Sequence, residues 1–81
     1  MPTVHREDGF NVIIYPNDHL PSHVHVIKGG GQVIIKLGSE IEPPSLSQVY
    51  GNISNKEVLK ALKIVATHQL KLITAWRTIH G

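Results

Sequence analysis

The chain contains no cysteine, so disulfide staples, thiolate zinc sites and cysteine nucleophiles are all excluded. Aromatic residues are equally scarce: one Trp, two Tyr and one Phe among 81 residues. None of them interleaves with the lysines near the C-terminus, which argues against a stacking platform for single-stranded nucleic acid on that segment. No apolar run approaches the roughly 20 residues that span a bilayer, and the opening MPTVHREDGF has no apolar signal region. A leaderless, cysteine-free chain without a membrane segment is expected to be cytoplasmic. Ser-His-Asp spacing, a Walker loop and a dinucleotide fingerprint are also missing, and no internal repeat or linker divides the chain.

What is present fits one small globular domain covering residues 1–81. Hydrophobic residues make up 41% and charged residues 17%, proportions that exclude a disordered chain. A domain of this size buries only about 60% of its unfolded surface, so its margin of stability is thin. A homodimer or a bound partner would add to it. The net charge of +2 conceals an asymmetry. Residues 1–53 carry three basic against five acidic side chains, whereas residues 54–81 carry five basic against Glu57 alone.

The segment 3–50 reads as strands. Phe10–Tyr15 is rich in aromatic and β-branched residues, and His23–Lys28 alternates as a half-buried strand does. Gly29-Gly30-Gly31 joins it to a further apolar run, Gln32–Leu37, as a glycine-turned hairpin. The triple glycine lacks the helix and Lys-Ser/Thr that a phosphate cradle requires. Leu46–Tyr50 is one more short strand. Ser54-Asn55-Lys56-Glu57 matches a capping box, after which no proline or glycine intervenes before Gly81. A helix over residues 55–79 would be about 36 Å long. Its wheel puts Val58, Leu62, Val65, Ala66, Gln69, Leu72, Ile73 and Trp76 on one face. Lys56, Lys60, Lys63 and Lys71 gather opposite, either as a nucleic-acid footprint or as a solvated face. The expected fold is α+β: an antiparallel meander of three to five strands, with one long C-terminal amphipathic helix packed across one face.

The site-like feature is Asn17-Asp18-His19-Leu20-Pro21-Ser22-His23-Val24-His25, three histidines within seven residues. Side chains two apart on a strand share a face, so His23 and His25 stand side by side, about 7 Å apart at Cα. His19 lies in a loop stiffened by Pro21. Three chemistries fit, beside the bland reading of a hydrogen-bonded surface row. The imidazoles could chelate a divalent metal such as zinc, with His19 a third ligand and Asp18 a fourth. They could share acid and base roles in ribonucleolytic transfer, with Lys28 stabilising the phosphorane. Or they could simply bind a ligand or RNA.

The Met-Pro-Thr opening, Tyr-x-Asn-Asp-His over residues 15–19, Pro-x-His-Val-His-Val over 21–26, Lys-Gly-Gly over 28–30 and the late Trp76 resemble a small bacterial family catalogued as domain of unknown function 4160. Typical members carry two prolines before the second histidine; Ser22 replaces the second one here. The resemblance implies a place in a two-gene toxin–antitoxin module, with a small antitoxin-like protein as partner. It implies His19, His23 and His25 as functional residues. The expectation is an RNA-directed, ribonuclease-like toxin component. The alternative is a non-catalytic metal- or protein-binding module using the same histidine face.

Overall fold

Alternation of apolar and polar residues sets up five strands, described for residues 3–81 in a computed structural model. Met1 and Pro2 of the opening motif lie outside the described residues. The strands are β1 (Thr3–Glu7), β2 (Phe10–Ile13), β3 (His23–Lys28), β4 (Gly31–Lys36) and β5 (Ser45–Gly51), followed by helices α1 (Asn55–Thr67) and α2 (Gln69–His80). The strands form one antiparallel meander in the order β1-β2-β3-β4-β5. The β3–β4 hairpin turns on Gly29, whose φ of 56° falls in the region open to glycine.

Register decides which residues form the core. Val12, Val26 and Val33 are aligned across β2, β3 and β4, and Val24 faces Ile35. With Phe10, Ile14 and Leu37 they pack against Val58, Ala61, Ile64, Val65, Leu72 and Trp76 of the helices. Burying each Val, Leu or Ile contributes about 1.5–3 kcal/mol. Asn11, Ile13, His25, Ile27, Gln32 and Ile34 take the alternate positions, on the other sheet face. Strand β5 is an edge strand, exposed along its whole length.

The predicted helix start is found as expected. Ser54 Oγ accepts from the Glu57 N–H at 3.2 Å, and the Ser54 N–H donates to Glu57 Oε1 at 3.0 Å. The expectation of one unbroken helix is not met: the segment is two pieces, joined at His68 with φ −109° and ψ 22°. Neither proline nor glycine causes this break. Side chains at the joint bond away from the helix instead. His68 Nε2 bonds Glu7 Oε1 of β1 at 3.1 Å, and Gln69 Nε2 reaches the carbonyls of Leu37, Ser39 and Glu42 at 2.7–2.9 Å. Thr67 Oγ1 donates back to the Lys63 carbonyl at 2.8 Å, a contact that bends helices. The buried stripe is also rotated from the predicted one. Ala61 and Ile64 face inward, whereas Ala66 is exposed.

Candidate metal centre

The turn after β2 holds an aspartate rigidly. The Asp18 N–H donates to the Tyr15 carbonyl at 3.0 Å, and Asp18 Oδ2 accepts from the Tyr15 N–H at 3.0 Å. One carboxylate oxygen is thereby tied to the turn, which aims the other, Oδ1, at β3. His25 Nε2 lies 3.2 Å from Oδ1 and His23 Nε2 lies 3.5 Å from it. Burial pushes the Asp18 carboxyl up. The Tyr15 N–H, the His25 hydrogen bond and the two imidazoles together outweigh it, and its pKa lies below the ordinary aspartate value.

The outer nitrogen of each ring is fixed by an oxygen. His23 Nδ1 lies 2.9 Å from the Pro21 carbonyl, which can only accept, so Nδ1 carries the proton. His25 Nδ1 lies 2.8 Å from Gln32 Oε1 on the neighbouring strand, which imposes the same tautomer. In the neutral rings both Nε2 atoms then bear lone pairs, and both point at a carboxylate oxygen. With both rings neutral, three acceptors converge within 4.8 Å of one another; with His25 protonated, its Nε2–H donates to Asp18 Oδ1 at 3.2 Å. Either a bound cation or a proton on an imidazole satisfies that arrangement.

Two ligands of a tetrahedral ion bound at about 2.0–2.1 Å stand about 3.3 Å apart, close to the two separations found here. Ring N–H groups donated outward to an oxygen are also the usual outer support of metal-binding histidines. Two imidazoles and one carboxylate suit zinc or another first-row divalent ion and leave coordination positions for water or substrate. The same geometry weakens the two-histidine acid–base reading. Both reactive nitrogens face Asp18 from side chains only 17% and 13% exposed.

The model of the family described as Domain of unknown function (DUF4160) matches residues 9–77. The chain belongs to that family. No curated protein and no solved structure matches it.

In this DUF4160 chain the other sequence-predicted residues are distributed as follows. His19 is exposed and stands outside the converging set, on cavities that flank it. Lys28 lies on the core side of β3, its Nζ 3.7 Å from Glu57 Oε2 and 4.6 Å above the Phe10 ring. Lys60 pairs with Asp8 at 3.3 Å, and Lys71 Nζ is 2.9 Å from His5 Nδ1. Lys56 and Lys63 are exposed on α1.

Sequence reasoning missed a second cluster, on the other side of the fold. His5 Nε2 and His68 Nε2 both bond Glu7 Oε1, at 2.9 and 3.1 Å, with the rings 4.1 Å apart. Here the outer partner of His5 is the Lys71 ammonium, which can only donate. His5 Nδ1 must accept, so Nε2 carries the proton and gives it to Glu7. These histidine hydrogen bonds come first in holding the Glu7 carboxyl below the ordinary glutamate value. Residues 61 and 66 positions apart meet here, and no local pattern marks them.

Proposed function

We propose that the chain is a divalent-metal module in which Asp18, His23 and His25 hold the ion, with zinc favoured. The observation that carries this reading is the pair of outward Nδ1 contacts, to the Pro21 carbonyl and Gln32 Oε1, which turn both Nε2 lone pairs on Asp18 Oδ1. A bound divalent ion would supply Lewis-acid polarisation of an oxygen at its open positions. The chain's own residues do the rest. Tyr15 orients Asp18, while Pro21 and Gln32 hold the tautomers. Lys36 and Arg77 line the cavities on either side and favour an anionic substrate.

On that centre we assign the chain an RNA-directed role in a toxin–antitoxin-type module, with a small antitoxin-like protein as partner. The phosphodiester is the anion that this combination of metal ligands and flanking cations suits. A module that binds metal or protein without turnover, alone or as a homodimer, is the competing reading.

Untagged protein titrated with zinc in a calorimeter should bind one equivalent, and Asp18→Asn should remove it. Expression should arrest growth, with His25→Ala relieving the arrest in a chain that still folds. Zinc binding without arrest leaves the non-catalytic module. No zinc binding at all refutes the metal centre.

A further inference from the structure

The two edges of the sheet are unlike. Strand β1 carries His5, Arg6 and Glu7, and charges at an edge keep one sheet from pairing with another. Strand β5 has no such protection: no Asp, Glu, Lys or Arg occurs from Pro43 to Asn55. The N–H and C=O groups of β5 that point away from β4 have no strand beside them among the described residues.

The core also runs out at this edge. Val12, Val26, Val33 and Val49 stand in one row across β2, β3, β4 and β5; the first three are fully buried, whereas Val49 is 43% exposed. In the neighbouring row Val24 and Ile35 are fully buried, whereas Leu46, opposite Ile35, is 46% exposed. The helices cover each row as far as β4 and leave its last residue open. Leu46 and Val49 are an odd number of positions apart, yet both lie on the helix side. Ser47 is the reason, since it is an extra residue in the pairing: Gln48 faces Ile34 and Leu46 faces Ile35.

That spacing makes β5 complementary to itself. Consider β5 paired antiparallel with β5 of a second copy, about a two-fold axis between Ser47 and Gln48. Leu46 then meets the second copy's Val49, and Val49 meets its Leu46. Ser47 meets Gln48, and Ser45 meets Tyr50. The ladder ends where Gly51 would meet Pro44, which has no N–H to give. No like charges are brought together, and both apolar rows continue into the second copy with the two helix layers on one side of the joined sheet. Pairing β5 with β1 of another copy is head-to-tail and sets the uncharged edge against the charged one.

We propose that the chain forms a homodimer through β5, with the Leu46–Val49 contact repeated on both sides of the two-fold axis. This goes beyond the metal reading and does not depend on it. Ser47 and Gln48 also line the cavity of about 280 Å³ that reaches His19 and His23, so the second copy stands beside the His19–His23 loop.

Sedimentation equilibrium of the untagged full chain should show a monomer–dimer equilibrium. Leu46→Glu and Val49→Lys should each weaken self-association about tenfold or more, because each sets two charges against apolar side chains in the dimer. Mixing the two variants should restore association: one contact then pairs the introduced carboxylate with the introduced ammonium, and the other remains Leu–Val. Circular dichroism checks both folds. In the unaltered chain, amide exchange over Ser45–Tyr50 should slow as the protein concentration rises, and by more than over Thr3–Glu7 at the other edge.

A chain that stays monomeric leaves the edge to a strand of some other protein and overturns the pairing. A dimer indifferent to both substitutions uses another surface, and a mixture of the two variants that stays apart refutes the register. Either outcome sinks the proposal.

Discussion

The fold contains two clusters of the same composition, two histidines and one carboxylate, whose outer partners give them opposite chemistry. At Asp18–His23–His25 the outer ring nitrogens face oxygen atoms, so the inner nitrogens of the neutral rings are lone pairs aimed at a third acceptor. At His5–Glu7–His68 the outer nitrogen of His5 faces the Lys71 ammonium, so an N–H points inward and satisfies Glu7. Ligand types and spacing do not distinguish them, since both sets of donor atoms lie within 4.8 Å. The identity of the group behind each ring does. On the proposed reading the first cluster takes a cation, whereas in the second the His5 N–H, set by Lys71, already satisfies Glu7.

The largest effect that would break this contrast is at the carboxylates. Asp18→Asn should weaken zinc binding by more than about 100-fold, because outer-shell contacts alone are worth about 10–100-fold. Glu7→Gln should leave zinc affinity unchanged and instead lower the apo protein's stability. At 100 times the dissociation constant, bound zinc adds about 2.7 kcal/mol to unfolding, so differential scanning fluorimetry with and without zinc separates the two variants. A zinc response carried by Glu7 rather than Asp18 would invert the assignment.

Next in size is the outer support. Gln32→Leu removes the oxygen that holds the His25 proton on Nδ1, and zinc affinity should fall about 10–100-fold with little change in the circular dichroism spectrum. Lys71→Leu tests the other cluster from the same side. Without the ammonium, His5 can put its proton on Nδ1 and expose Nε2, so calorimetric stoichiometry should rise from one zinc toward two, the second weaker. If Lys71→Leu leaves one equivalent, the ammonium is not what closes that cluster.

Local features were legible in the sequence; features made by distant residues were not. Strand alternation placed His23 and His25 on one face with Val24 and Val26 opposite, because a period of two is a property of the chain itself. The Ser54–Glu57 capping box spans four consecutive positions and was readable for the same reason. Parity also carried information about Lys28: it stands three positions from His25, an odd step, and so belongs to the opposite face of β3. The helix break was not readable, because it rests on Glu7 and on the carbonyls of Leu37, Ser39 and Glu42, which reach residues 68 and 69 only after folding. That Asp18 rather than His19 converges on the histidine pair depends on how the Tyr15 turn aims its carboxylate. The tautomers depend on Pro21 and on Gln32 across the hairpin.

The smallest effects belong to the helix start, which touches neither cluster and serves as their control. Ser54→Ala should cost about 1 kcal/mol in urea unfolding, the usual value of an N-cap, and should leave zinc affinity unchanged. Its pH dependence follows from Glu57, whose pKa is lowered first by the Ser54 N–H and then by the Ser54 side chain, with Lys28 contributing less. A carboxyl whose pKa is depressed on folding adds stability above its unfolded value, near about 4.3 for glutamate. That stability is lost as the pH falls through the folded value. The apo protein should therefore weaken on the acid side of about pH 4.3, and Glu57→Gln should flatten that limb slightly. Asp18 and Glu7 are depressed in the same direction, so their amide variants should each flatten it too. Zinc should steepen the acid loss only in chains that keep Asp18, since protons and metal compete for the same Nε2 and Oδ1 atoms. A zinc-dependent acid limb that persists in Asp18→Asn and disappears in Glu7→Gln would put the cation in the wrong cluster.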